Sequence, residues 1–276
     1  MKTAIEHRMC VALAQRGNLG KSTFAACLAQ WLDHHKITWC GYDLDADHRS
    51  FSRLFPSEVQ AVPIGEEPMA DLVKVLRMAT NAPVIVVDPR AHMSSLFRDA
   101  FELTRFPSSF SESGGRITVT LLPADDLEIM CDLDATVSRL GSSVDYLVVR
   151  NLARALHTRM LDGSELDAEL KRLGAGFIEL PPLLSIARNH LAAKESELGR
   201  GLTPVEAVAN KDLGLDPLIR IILEDWLRVV FRRLDTVASL VLPTSHAARV
   251  EAASDGKPVS GKPAAVRGAK LNLKQF

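Results

Sequence analysis

The chain has 276 residues, with 33 Lys and Arg against 34 Asp and Glu (formal charge −1), and is 47% hydrophobic and 24% charged. These proportions are those of a globular protein and exclude a disordered, collagen-like or coiled-coil chain. A balance so near zero argues against a dedicated nucleic-acid coat, and the length suffices to bury roughly three quarters of the unfolded surface.

Taken in chain order, short β-rich runs at 10–14, 37–42, 84–87, 117–122, 146–149 and 177–180 alternate with helical patterns at 22–35, 69–79, 93–105, 125–140 and 164–173. Near-continuous apolar strands, each followed by a helix, predict an α/β fold: a doubly wound, mostly parallel sheet with helices on both faces. Ser164 is placed to cap the start of the 164–173 helix and Gly174 to end it. Beyond 180 the pattern is helical only. Thr203-Pro204-Val205-Glu206 has the form of a capping box. Residues 218–234 repeat Ile221, Ile222, Trp226, Val229 and Val230 at helical spacing, which predicts one packed face. Residues 1–243 are thus expected to form one domain, and 244–276 a flexible tail carrying the basic residues Arg249, Lys257, Lys262, Arg267, Lys270 and Lys274.

Four scattered cysteines (Cys10, Cys27, Cys40, Cys131) form no metal-like cluster and are expected to be buried, reduced thiols. No apolar run approaches the roughly 18 residues of a spanning helix, and the run 9–14 is too short for a signal peptide. A cytoplasmic protein is expected. His34 and His35 at a helix end suit the helix dipole better than a metal.

The strongest chemical signal is Gln15-Arg16-Gly17-Asn18-Leu19-Gly20-Lys21-Ser22-Thr23, between a strand and a helix. Backbone N–H groups of such a loop converge on phosphate oxygens at the positive end of a helix. Lys21 supplies a mobile charge to the β- and γ-phosphates, and the Ser22 hydroxyl is a Mg²⁺ ligand. An ordinary phosphate loop has Gly where Gln15 stands; Asn18 tolerates left-handed backbone angles.

Three acids, Asp43, Asp45 and Asp47, follow the second strand, where side chains project into the ligand crevice of a parallel sheet. The run Val84-Ile85-Val86-Val87-Asp88 has the form of a Walker B strand, with Asp88 placed to hold Mg²⁺ through water. Pro89 and Arg90 follow it, so no catalytic Glu stands beside it.

With Gly17, Gly20, Lys21, Ser22 and Thr23 in register, the segment resembles the deviant Walker A motif of the ParA/MinD branch of P-loop ATPases. Arg16 replaces that motif's signature Lys, and Asn18 its second Gly. The resemblance implies an ATP-dependent homodimer in which Arg16 reaches the partner's phosphates. It places Asp45 on the residue that orients the attacking water, Asp47 near Mg²⁺, and Asn151 on the adenine edge, beside a pocket closed by Glu179-Leu180-Pro181-Pro182. Which of the three acids handles the water stays open at this point.

Within the branch, the Gly17–Thr23 form resembles plasmid StbB proteins, and the helical stretch around 202–207 resembles TraL. These likenesses imply a slow, partner-stimulated ATPase switch in conjugal transfer, plasmid partition or stability, or intracellular positioning. It would bind a protein of such a system, and DNA non-specifically through the basic tail. Membrane contact by 271–276 is not expected. Two other readings use the same loop: an ATP-dependent small-molecule ligase or kinase, and a nucleotide-bound scaffold that does not hydrolyse.

Overall fold

The computed structural model describes residues 4–254. Its first half runs β1 (His7–Leu13), α1 (Lys21–His34), β2 (Trp39–Asp43), α2 (Ser50–Leu54), β3 (Val59–Ala61), α3 (Pro68–Arg77), β4 (Val84–Asp88), α4 (Ser94–Thr104) and α5 (Phe106–Glu112). Then come β5 (Gly115–Leu121), α6 (Leu127–Leu140), β6 (Asp145–Asn151), α7 (Glu165–Arg172) and β7 (Gly176–Leu180). Five helices follow: α8 (Ser185–Leu198), α9 (Pro204–Ala209), α10 (Pro217–Asp235), α11 (Ala238–Val241) and α12 (Thr244–Ser254).

The seven strands form one sheet in the order β3-β2-β4-β1-β5-β6-β7, and every pairing is parallel. Each residue of β4 is buried, as continuous Val and Ile demand when helices cover both faces. β1 lies at the centre, with Met9 opposite Ile85 of β4 and Ile117 of β5. The chain fills one side of β1 with β2 to β4 and the other with β5 to β7. That reversal leaves a crevice at the carboxyl ends of the central strands.

All six expected strands are present. The second begins at Trp39, not at 37, because Lys36 takes a left-handed φ of 55° and the Ile37 N–H closes the end of α1 on Leu32 O. β3 and α2 were not expected; both are short, and α2 depends on a carboxylate described below. The Ser164 hydroxyl does cap α7 and the Thr203 hydroxyl α9, each accepting from the third residue on. Glu206 completes no box: its carboxylate pairs with Arg200.

Two helical expectations need correction. In α10 the packed face is Ile219, Leu223, Leu227, Val230, Phe231 and Leu234, whereas Ile221 and Val229 are exposed. The chain does not lose its pattern at 244 either, since Thr244 exchanges hydrogen bonds with Ile5 and starts α12, which buries Ala247 and Val250. The basic residues from Lys257 onward lie outside the described residues, as does 271–276. All four cysteines are free, but only Cys10 and Cys27 are buried; Cys131 is exposed on α6. Among the described residues no helix is long and apolar enough to cross a membrane.

One polar cluster ties this framework together. Arg8 of β1 is 1% exposed and donates to Asp145 (2.5 Å), Thr118 (3.1 Å), Ser239 O (2.9 Å) and Leu242 O (3.4 Å). It thereby joins the edge of the sheet opposite the crevice to α11. Burial opposes ionisation of Asp145, but Arg116 and Arg8 together hold its carboxyl below the usual range. Removing one member of such a buried pair costs about 3 kcal/mol or more. Arg8→Leu is therefore expected to lower the thermal midpoint by roughly 6 °C or more in a calorimetric scan. An unchanged midpoint would show that Arg116 alone carries Asp145.

Candidate functional site

The loop between β1 and α1 is built by two left-handed residues. Asn18 takes φ 61° and Gly20 φ 96°, so Asn18 adopts the geometry its side chain was expected to tolerate. A Cβ on Gly20 would lie 2.0 Å from Asn151 Nδ2, which makes glycine obligatory there on two counts. A Cβ on Gly17 would meet nothing within 4 Å, so no close approach requires glycine there.

α1 starts at Lys21 with no side-chain cap and no acid in its first turn. Its first N–H groups are thus left for an anion, and the helix dipole favours one. The Lys21 side chain is buried and folds back over the loop, with Nζ 3.5 Å from Arg16 O. Burial lowers the Lys21 pKa, while the charges of Asp88 and Asp45 oppose that shift.

The three acids after β2 separate into three roles. Asp43 is buried and spent on structure: Oδ1 accepts from Asp45 N (3.1 Å), and Oδ2 from Phe51 N (3.1 Å), Ser52 N (2.8 Å) and Ser52 Oγ (3.0 Å). Those bonds satisfy the start of α2. Asp45 lines the cleft. Partial burial works against its ionisation, but the N–H groups of His48 and Asp47 and the His48 ring hold its carboxyl below the usual range. Asp47, expected near the metal with Ser22 and Asp88, is exposed and does not line the cleft.

Asp88 ends β4 fully buried, and neither carboxylate oxygen has a hydrogen-bond partner in good geometry among the described residues. Burial pushes its pKa up to about 7, and Asp43 and Asp45 add to the rise; the neighbouring Ser22 hydroxyl and Lys21 pull it back. A buried, unsatisfied carboxylate beside a hydroxyl and an ammonium fits a divalent cation carried in with a phosphate. The chain alone builds no cage for one: among the described residues no group of three or more His, Cys, Asp or Glu is poised as ligands.

Around these groups opens a cleft of about 650 Å³, within the range of small-ligand sites. Gly17, Asn18, Gly20, Lys21, Ser22 and Thr23 line its phosphate end, and Ala26, Cys27 and Gln30 of α1 form its floor. Asn151 lies between the ends. Its Nδ2 donates to Leu19 O (2.9 Å) and its Oδ1 accepts from Ala153 N (3.1 Å), so it braces the loop as well as facing the cleft. Leu19 turns its side chain into the core and lends only its backbone. The far end holds Leu180 and Pro181, as expected, but also Arg154, Arg188 and Trp226, none of which the sequence assigned to a site. The Trp226 indole donates to Pro181 O (2.9 Å). Its place on an apolar helical stripe gave no hint of a cleft, and isolated arginines carry no motif.

Arg16 does not point into this cleft. Its guanidinium pairs with Asp126 (2.5 Å) and Glu128 (2.8 Å) at the start of α6, and these carboxylates raise its pKa further.

No protein-family model matches the chain, and no curated protein matches it. Among solved structures it is similar to the MinD cell division protein of Aquifex aeolicus, at 15% identity over 80% of this chain and 95% of that one, TM-score 0.41. A nucleotide-binding protein of Archaeoglobus fulgidus, solved with ADP, matches at 16% identity over 71% and 87%, TM-score 0.42. The FtsY receptor of Elizabethkingia anophelis matches at 11% identity over 62% and 57%, TM-score 0.43. The chain spans about half the length of the FtsY chains it resembles, 50% for the Physcomitrella patens protein. With TM-scores this low, none of these likenesses bears on what the cleft binds.

The raised Asp88 pKa fixes a sign. Between the ordinary value of 3.8 and about 7 the folded chain binds a proton that the unfolded chain has lost. Stability of the ligand-free protein therefore falls as pH rises through that window. Asp88→Asn is expected to flatten this slope and to stabilise the ligand-free protein at pH 8, read by denaturant melts at several pH values. Gly20→Ala, which meets Asn151 and a strained φ, is expected to destabilise the loop and lower the thermal midpoint in a calorimetric scan.

Proposed function

We propose that the chain binds ATP with Mg²⁺ in this cleft and hydrolyses it slowly, as a nucleotide-dependent dimerisation switch of the ParA/MinD type. One observation carries the reading: an uncapped helix start, a buried ammonium and an unsatisfied buried carboxylate meet at the ends of adjacent central strands. A triphosphate with its metal supplies the partners that all three lack. Backbone N–H groups of 17–23 hold the phosphates, and Lys21 neutralises the β- and γ-oxygens. Ser22 and Asp88 are the residues that would hold Mg²⁺, which when bound offsets charge on the phosphates. With no Glu after Asp88, orienting the attacking water falls to Asp45, the one acid of its trio on the cleft.

Asn151, Leu180 and Pro181 frame the adenine end. The finer biological reading follows from the motif's resemblance to StbB and TraL proteins. It is a role in conjugal transfer, plasmid partition or stability, or intracellular positioning, with a protein partner of that system and non-specific DNA contact through the basic residues beyond 254. Arg16 is the residue that would act across the dimer.

Two variants test the switch. Lys21→Ala is expected to abolish ATP binding and ATP-dependent dimerisation. Asp45→Ala is expected to bind ATP normally and accumulate as dimer, because the loss falls on hydrolysis alone. Light scattering with and without Mg-ATP reads both; a mass that never changes with ATP in the unmutated protein would refute dimerisation. Turnover that appeared only with an added small-molecule acceptor would favour a ligase or kinase instead.

A further inference from the structure

Resting on that switch reading, we infer that Asp126 and Glu128 form an intrachain latch that holds Arg16 off the nucleotide, so that dimerisation requires Arg16 to exchange these carboxylates for phosphate. The geometry is specific. Nη1 of Arg16 donates to Asp126 Oδ2 at 2.5 Å, and Nε to Glu128 Oε2 at 2.9 Å, so both edges of the guanidinium are engaged. Asp126 is anchored from the other side, because its Oδ1 caps α6 by accepting from Glu128 N (3.0 Å) and Ile129 N (3.2 Å). One carboxylate therefore serves helix and latch at once and cannot follow Arg16 into the cleft. A guanidinium has a fixed fork of donors, and those spent on two carboxylates are not available to a phosphate.

The surroundings match a surface that a second copy of this chain covers. Leu127, between the two latch acids, is 68% exposed. Met160, whose N–H donates to Asp125, is exposed beside it, and Leu156, four residues before Met160, is exposed as well. This apolar skirt adjoins the loop whose next residues line the cleft, so it is continuous with the mouth that the sandwich reading would close. The Arg16 side chain is itself half exposed, at 49%, so the latch faces outward and not into the core. Exposed ion pairs are individually weak, so the latch sets a threshold and does not forbid dimerisation.

The test uses the full chain carrying Asp126→Asn with Glu128→Gln. Asn keeps an acceptor for the α6 cap, so an unchanged thermal midpoint is the folding control. The ATP concentration giving half-maximal dimer, by light scattering in Mg²⁺ buffer, is expected to fall roughly three- to tenfold, the loss of one or two exposed ion pairs. Adding Arg16→Ala to the pair is expected to erase that gain. A gain that survives Arg16→Ala would mean that the acids act by general repulsion, and would overturn the latch. So would an unchanged or raised ATP requirement, the latter meaning that the acids aim Arg16 at the partner. In these three outcomes the switch itself stands. If no variant and no unmutated protein dimerises while all bind ATP, the switch reading fails, and the latch with it.

Discussion

Two opposite charges buried close together, and not allowed to satisfy each other, are the constraint on which the site depends. Lys21 and Asp88 sense one another's field, yet no ion pair joins them among the described residues. The parallel ladder is the reason. β4 pairs with β1 through Val11 opposite Val87, which fixes Asp88 at a strand end, while Lys21 hangs from a helix that starts after a seven-residue loop. A direct contact would close the cradle on itself. Held apart, both charges bear part of their desolvation cost until a ligand supplies partners, which is how binding sites commonly keep local instability within a well-satisfied framework. The framework here includes the Arg8 cluster at the opposite end of the strands, where the buried guanidinium makes four hydrogen bonds.

The fold was legible because its strands are continuous apolar runs, and such runs have one use in an α/β chain. Where periodicity had to choose a face, it failed. α10 carries apolar residues on two sides, so Ile221 and Val229 fit a helical stripe as well as Ile219 and Leu223 do; only the sheet and α1 beneath it decide which stripe is buried. α2 and β3 were illegible for another reason. Both are too short for periodicity, and α2 begins where the carboxylate of Asp43, eight residues upstream of Phe51, reaches its N–H groups. α12 depends on a pairing with Ile5 from the other end of the chain, which no local pattern can signal.

The candidate site shows the same division. Loop residues came from spacing, because backbone N–H groups need a set number of residues to wrap a phosphate. The three acids could not be ranked by spacing, since alternation has meaning only inside a strand, and the strand ends at Asp43. From there the chain turns. Asp45 bends back to accept from Asp47 and His48, which leaves its carboxylate on the cleft and directs Asp47 to solvent. Arg154, Arg188 and Trp226 come from three separate elements, and only tertiary packing assembles them.

Seen from the loop, the two halves of the sheet pull in different ways. On the β5–β6 side Asn151 grips Leu19 O, and the start of α6 grips Arg16. On the β2–β4 side Asp45 and Asp88 act on Lys21 through their charges without bonding it. The loop is thus bonded to one half and electrostatically drawn to the other. A polyanion entering between them weakens the second pull directly, because it competes with Asp45 and Asp88 for the same ammonium. It reaches the first only through Leu19 and Arg16. On the proposed switch reading, a change of nucleotide state would reach the α6 side by displacement of hydrogen-bonded groups, and the α2 side by a change in field. The first is directional and short in range; the second falls gradually with distance. A surface that must report whether nucleotide is bound is better built on the directional side, which is where the exposed Leu127, Leu156 and Met160 lie.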